Sequence, residues 1–110
     1  MDIPDRGSLV WLEFTPQAGR KQAGRRPAIV LTTRAYHERS ALAVVCPITS
    51  TEHGWPMEVK LPEGLAVSGV ILVDQIRSID RDARFLKIVG SAPPEILDAI
   101  EARLAPLLSL

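Results

Sequence analysis

Apolar positions along this chain come in short runs, broken by glycine, proline and clusters of charge, until the C-terminal segment changes the rhythm. Residues 8–14 (SLVWLEF) are β-rich and mostly apolar, with Glu13 the one charge, and Arg6-Gly7 ahead of them reads as a turn. Residues 28–32 (AIVLT) form a continuous apolar run, the pattern of a short buried strand. The polar segment 33–40 (TRAYHERS) suits a single helical turn or a loop. Residues 41–46 (ALAVVC) predict a third strand, stopped by Pro47. Residues 48–56, with Thr49, Ser50, Thr51, Gly54 and Pro56, read as a loop. Met57, Val59 and Leu61 alternate with Glu58 and Lys60, which predicts a half-buried strand over 57–61 before a Pro62-Glu63-Gly64 turn. Residues 68–73 (SGVILV) predict a strand running on through Asp74-Gln75 to Ile79, and 85–89 one more.

The C-terminal segment has a different period. Ile96, Leu97, Ile100, Leu104, Leu107 and Leu108 fall at helical spacing and form one apolar stripe. Pro93-Pro94 suits a first helical turn, with Ser91 placed to help cap it. Glu95 and Asp98 early and Arg103 late agree with the helix dipole. Pro106, which lacks an N–H and crowds the carbonyl four residues back, is expected to kink or end the helix. Several short strands, tight turns and one terminal helix point to a mainly β domain: a small, strongly curved sheet or partial barrel with the helix packed on it.

Length and composition leave that picture standing. One domain fits in 110 residues, and such a chain buries a core without disulfides. A single cysteine, Cys46, excludes an internal disulfide and a cysteine-rich metal site, which fits a reducing, cytoplasmic setting. The N-terminus lacks the cationic-then-apolar pattern of a signal peptide, and no apolar run approaches a membrane span.

Charge changes the picture more. The net charge is zero, yet residues 17–40 hold six cationic side chains against Glu38 alone, a local charge of +5. The densest part is the glycine-punctuated loop over 15–26, with Arg20, Lys21, Arg25 and Arg26, which runs into the apolar strand at Pro27. Such a patch suits a polyanion, or it solubilises a long loop. Arg26, fixed to a strand, is placed to clamp a phosphate. Thr49-Ser50-Thr51 offers hydroxyls and backbone N–H groups at a strand exit, a setting for an oxyanion or simply a turn. Asp74 ends an apolar run, where it orients an arginine, handles a proton or forms a structural ion pair. Trp55 and Tyr36 sit in polar segments from which they can stack on unpaired bases. Trp11 and Phe14 lie in a strand and read as core, and Cys46 as inert. His37 and His53 have no partner at metal-ligand spacing and read as solvated. No P-loop, dinucleotide fingerprint or zinc spacing is present. Taken alone, these residues leave the function open.

In order along the chain, several segments resemble the MazF/PemK family of toxin endoribonucleases. They are Gly7-Ser8-Leu9-Val10-Trp11-Leu12, Thr15-Pro16-Gln17-Ala18-Gly19, and Gln22-Ala23-Gly24-Arg25-Arg26-Pro27-Ala28-Ile29-Val30-Leu31. Next come Cys46-Pro47-Ile48-Thr49-Ser50, Gly54-Trp55-Pro56-Met57-Glu58-Val59, and the run from Gly69 through Asp74-Gln75 to Asp80. The resemblance covers nearly the whole chain and implies a single domain over 1–110. The implied fold is an SH3-like, strongly curved small β-barrel with a C-terminal helix, the PemK/CcdB-like toxin fold, working as a homodimer. The implied activity is metal- and cofactor-independent cleavage of single-stranded RNA at short sequences, leaving 2′,3′-cyclic phosphate and 5′-hydroxyl ends. The implied partner is a cognate antitoxin of MazE type, whose acidic and apolar tail blocks the RNA groove. By the same resemblance Arg26 and Thr49 are catalytic, while Asp74 and Arg20 are candidates for a catalytic or orienting role. Lys21, Gln22, Arg25, Ser50, Trp55, Gln75 and Arg77 are then expected to contact RNA. Lys21 stands where the family usually has a glutamate, which puts chemistry, rather than binding, in question. Two other implied readings are a gyrase-poisoning toxin of the same fold, disfavoured by the Leu108-Ser109-Leu110 ending, and a catalytically silent antitoxin-binding relative.

Overall fold

The short apolar runs become strands, and the C-terminal stripe becomes a helix, in the computed structural model, which describes residues 2–14 and 24–110. Its strands are β1 (Ser8–Phe14), β2 (Gly24–Val30), β3 (Leu42–Thr49), β4 (Glu58–Lys60), β5 (Val70–Leu72), β6 (Arg77–Asp80) and β7 (Phe85–Ser91). Single turns α1 (Arg34–His37) and α2 (Arg81–Arg84) and the long helix α3 (Pro94–Leu108) complete the described elements. Every ladder is antiparallel, in the order β4, β5, β3, β2, β1, β7, and β6 shares the β5 edge of β3. No ladder among the described residues joins β4 or β6 to β7, so the sheet is curved but not closed into a barrel.

Both faces of this sheet are buried, which is why its strands read as continuous apolar runs. Leu9, Ile29, Leu31, Cys46 and Ile48 point to one face, where Ile96 and Ile100 of α3 cover them. Val10, Leu12, Ala28, Val30, Ala43 and Val45 point to the other, joined by Ile79 of β6 and packed by Phe85 and Ile88 of β7. A sheet that brings β6 and β7 onto one cluster is strongly curved.

Several expected boundaries move, each for a reason found in the pairing. The strand expected to start at Ala28 starts at Gly24, because β1 pairs it throughout and tolerates Pro27. The strand expected to stop at Pro47 continues to Thr49. The Leu31 N–H donates to the Val44 carbonyl, so even-numbered positions of β3 bond β2 and Pro47 turns its nitrogen to the other edge. On that edge β6 ends opposite Val45 and β5 begins opposite Ile48, so no ladder N–H is required. The strand expected from 68 to 79 is broken by a 3₁₀ turn at Val73–Gln75. Both halves pair with β3, but their register differs by three residues, the length of that turn. The 57–61 strand shrinks to Glu58–Lys60, with Glu58 buried although the alternation had put it on the polar side.

Helix α3 runs through Pro106 to Leu108 and closes at Ser109 in the left-handed conformation, so Pro106 sits in its last turn. Its N-cap is Pro93 without a side-chain bond, so Ser91 does not cap it. The stripe is buried at Ile96 and Ile100 and exposed at Leu107 and Leu108, toward the helix's C-terminal end.

Candidate functional site

The site begins where the β2–β3 ladder stops. Its last pair is Ala28 with Pro47. Extended by the same register, Arg26 would face Thr49 and Arg25 would face Ser50, but no pairing forms there. Pro27 explains the stop: by strand alternation its nitrogen faces β3 and has no hydrogen to continue the ladder. Beyond it β2 stays paired to β1, with Arg26 opposite Leu12 and Arg25 opposite Glu13, while β3 turns to pair β5. Between the parted strands lies a groove of about 480 Å³. Arg25, Arg26 and Pro27 line it from β2, and Ile48, Thr49 and Ser50 from the end of β3, with Trp11, Ala66, Val67 and Ser68 completing the lining.

Geometry favours a phosphate in this groove. The two-residue strand period puts Arg26 on the face of Ala28 and Val30. The same period puts Thr49 on the face of Ala43 and Val45, which is the same side of the sheet. A guanidinium and a hydroxyl therefore reach one space from two rigid strands. No carboxylate lines the groove among the described residues, and both arginines are exposed. Thr49 is held from behind. Its Oγ1 accepts from the Thr51 N–H at 3.2 Å, and Gly69, at φ +124°, lies so close that a Cβ there would stand 2.2 Å from the Thr49 carbonyl oxygen.

The fold therefore gathers Arg25, Arg26, Thr49 and Ser50, and adds Trp11, which is half-buried in the groove wall rather than part of the core. Asp74 and Gln75 lie exposed in the 3₁₀ turn and Arg77 on β6, and none of them lines this groove. Arg20, Lys21 and Gln22 lie outside the described residues.

Two histidines expected in solvent are built into networks. His37 is buried, with Nδ1 2.7 Å from the Pro4 carbonyl and Nε2 2.7 Å from Thr32 Oγ1. The carbonyl only accepts, so Nδ1 carries the proton there. His53 sits beside Glu58, which no pattern in the sequence singles out. The Glu58 carboxylate accepts from the backbone N–H of His53 and Gly54 and from His53 Nδ1 at 3.0 Å. Burial opposes its ionisation, but bonds from the His53 side chain and from the backbone of His53, Gly54 and Trp55 outweigh burial and hold its carboxyl below the usual range. Cys46 is the opposite case: burial, and then the charge of Asp74, push its thiol up to about 12, so it is no nucleophile.

Residues 5–108 match the family described as PemK-like, MazF-like toxin of type II toxin-antitoxin system. The endoribonuclease toxin MazF of Escherichia coli (strain K12) is 39% identical over 106 residues, covering 96% of this chain and 95% of the relative. A crystal structure of MazF (Form-I) from Deinococcus radiodurans superposes with TM-score 0.90 at 46% identity, covering 100% of both chains. A MazE-MazF crystal structure (Form-II) from the same organism matches with TM-score 0.91 at 46% identity, covering 100% of this chain and 99% of the other.

Proposed function

The chain belongs to the PemK-like, MazF-like family of type II toxin-antitoxin toxins, and on that premise we propose that it is a toxin endoribonuclease cutting single-stranded RNA. The observation that carries this reading is the groove at the β2–β3 fork, lined by Arg26 and Thr49 with Arg25 and Ser50 beside them. The named relatives are endoribonucleases, which favours RNA cleavage over gyrase poisoning.

In the proposed reaction the substrate supplies its own nucleophile. The 2′-oxygen gives its proton to water and attacks the adjacent phosphorus, and the bond from phosphorus to the 5′-oxygen breaks. That 5′-oxygen takes a proton from water, so the products are a 2′,3′-cyclic phosphate and a 5′-hydroxyl, and no metal is required. A guanidinium is a poor general base, so Arg26 acts on charge, neutralising the non-bridging oxygens as negative charge grows on them. The Thr49 hydroxyl donates to a phosphate oxygen and fixes the phosphorus against Arg26. Arg25 and Ser50 hold neighbouring phosphate oxygens. The need for a 2′-hydroxyl is what separates RNA from DNA here.

A relative is solved together with MazE, and we infer an antitoxin of that type here, whose acidic and apolar tail would enter the same groove and compete with RNA for Arg25 and Arg26. We place the toxin in the cytoplasm as a homodimer; no helix among the described residues is long and apolar enough to cross a membrane.

The test is incubation of the purified protein with single-stranded RNA in excess EDTA, followed by sequencing of the 5′ ends. Cleavage at a short recurring sequence with 5′-hydroxyl ends is expected, and none of the 2′-deoxy analogue. Failure to cut any RNA would overturn the reading.

A further inference from the structure

The loop between β3 and β4 carries a second built feature. The rings of His53 and Trp55 stack with centroids 3.9 Å apart and planes 11° from parallel. Trp55 still leaves 54% of its surface to solvent. A tryptophan on a loop would ordinarily be mobile, but this loop is tied from two directions. From the sheet, the Glu58 carboxylate holds the backbone N–H of His53 and Gly54 at 3.1 and 3.0 Å and the imidazole at 3.0 Å. From α3, Arg103 Nε donates to the Pro56 carbonyl at 2.9 Å, and the same guanidinium is steadied by the Ala99 carbonyl at 3.0 Å. The stack is also close to the groove along the chain. Ser50 lines the groove, and the three peptide steps from it to His53 span at most about 10 Å.

We propose that the His53–Trp55 stack is a platform for an unpaired base of the RNA strand beside the groove, and that Glu58 and Arg103 are its positioning residues. This rests on the endoribonuclease reading. A nucleobase is a flat ring that adds to a stacked pair at the same spacing, and differences in stacking strength give a modest preference among bases there. A platform already ordered before binding spares the loss of side-chain freedom that a mobile tryptophan would suffer. Repulsion between Glu58 and the RNA backbone is small, because its side chain is only 5% exposed and faces the loop's own N–H groups. The nearby Glu52 is paired with Lys60 at 3.6 Å.

The test is steady-state cleavage of a randomised single-stranded RNA pool, with the cut ends sequenced. Trp55→Ala should raise KM about tenfold with kcat within about twofold, the size expected for one lost stacking contact. It should also flatten the sequence preference at one position flanking the cut, and Trp55→Phe should restore most of both. Glu58→Gln should raise KM on its own and add nothing in the Trp55→Ala background, since it acts only through the stack. Wild-type KM and end sequences in Trp55→Ala would overturn the proposal, as would independent, additive effects of the two substitutions. So would a Trp55→Ala protein that cuts RNA normally but escapes its antitoxin, which would assign the stack to a protein partner. If the wild-type protein cuts no RNA, the endoribonuclease reading fails by itself. Binding of a randomised single-stranded DNA pool then decides the platform: weaker binding by Trp55→Ala supports it, and equal binding overturns it.

Discussion

At its Leu42 end, strand β3 is paired on one edge to β6 from Asp80 to Arg77, and on its other edge Val44 accepts from the Leu31 N–H and Val45 stands opposite Val30. The polar groups around that end are taken up by one another. The Val44 N–H donates to Thr32 Oγ1, Thr32 meets His37, and His37 meets the Pro4 carbonyl. Arg81 donates to the His37 and Ser40 carbonyls, leaving its Nε the one buried side-chain nitrogen without a partner among the described residues. At its Thr49 end the same strand has lost β2, and the facing residues are cations and hydroxyls open to a groove. One strand thus meets a closed polar network at one end and borders a groove at the other. Two prolines, Pro27 and Pro47, stand at the boundary. If this division is right, substitutions at the Thr49 end should remove activity and leave stability, and those at the Leu42 end the reverse.

The largest expected effect is at Arg26. Removing one preorganised donor from a developing oxyanion costs about 10²–10³-fold in kcat. Arg26→Ala should lose at least that much RNA cleavage while its unfolding free energy stays within about 0.5 kcal/mol, as for other exposed positions. Parallel cleavage rates and urea titrations check it. A large loss of stability would break the comparison, because Arg26 would then belong to the structural end.

Gly69 sharpens it from the other side, since it touches both roles. Any side chain there meets the Thr49 carbonyl and must adopt a φ that suits glycine. Gly69→Ala should cost about 1–3 kcal/mol of stability. It should also lower kcat by about 10²-fold, the effect of moving a reacting group by about 1 Å. Calorimetry beside kinetics separates the two losses. At the Leu42 end, His37→Ala takes the donor from the Pro4 carbonyl, leaves the Thr32 hydroxyl with the Val44 N–H alone and opens a hole. Destabilisation by about 1–3 kcal/mol is expected, with kcat unchanged well below the melting temperature.

Much of this division is written in local sequence, and the rest lies in register. The apolar runs of β1 and β3 and the stripe of α3 report burial directly, because each residue's neighbours along the chain share its environment. Arg26 and Thr49 were legible one at a time, as polar residues at strand ends. That they face one another depends on the pairing of Ala28 with Pro47, which no local pattern encodes. Trp11 reads as core because strands bury aromatics, yet it pairs with Pro27, where the ladder beyond β2 is missing. Glu58 obeys the alternation of its strand and is buried all the same, since the His53–Gly54 turn supplies N–H donors that meet its carboxylate. The break at Val73–Gln75 follows from two short strands sharing one edge of β3, a constraint set by a strand more than twenty residues away.

The smallest predicted effect concerns pH and tests whether the β3–β4 loop belongs to the structural or the ligand-binding half. Glu58 is a depressed carboxyl, held below its ordinary value of 4.5 by the bonds it accepts. Its stabilising contribution is therefore complete above that ordinary value and is lost as pH falls through the lower, folded one. Protonation removes acceptor capacity facing His53 and Gly54, so the loop loosens only in acid. Melting temperatures of the wild-type protein and Glu58→Gln should differ by a constant amount from neutral pH down to about 5 and converge below it. Cleavage at neutral pH should meanwhile show the raised KM of the variant with kcat kept. A difference in melting temperature that persists unchanged in acid would mean that Glu58 acts as packing rather than as charge, and would move the loop to the structural half.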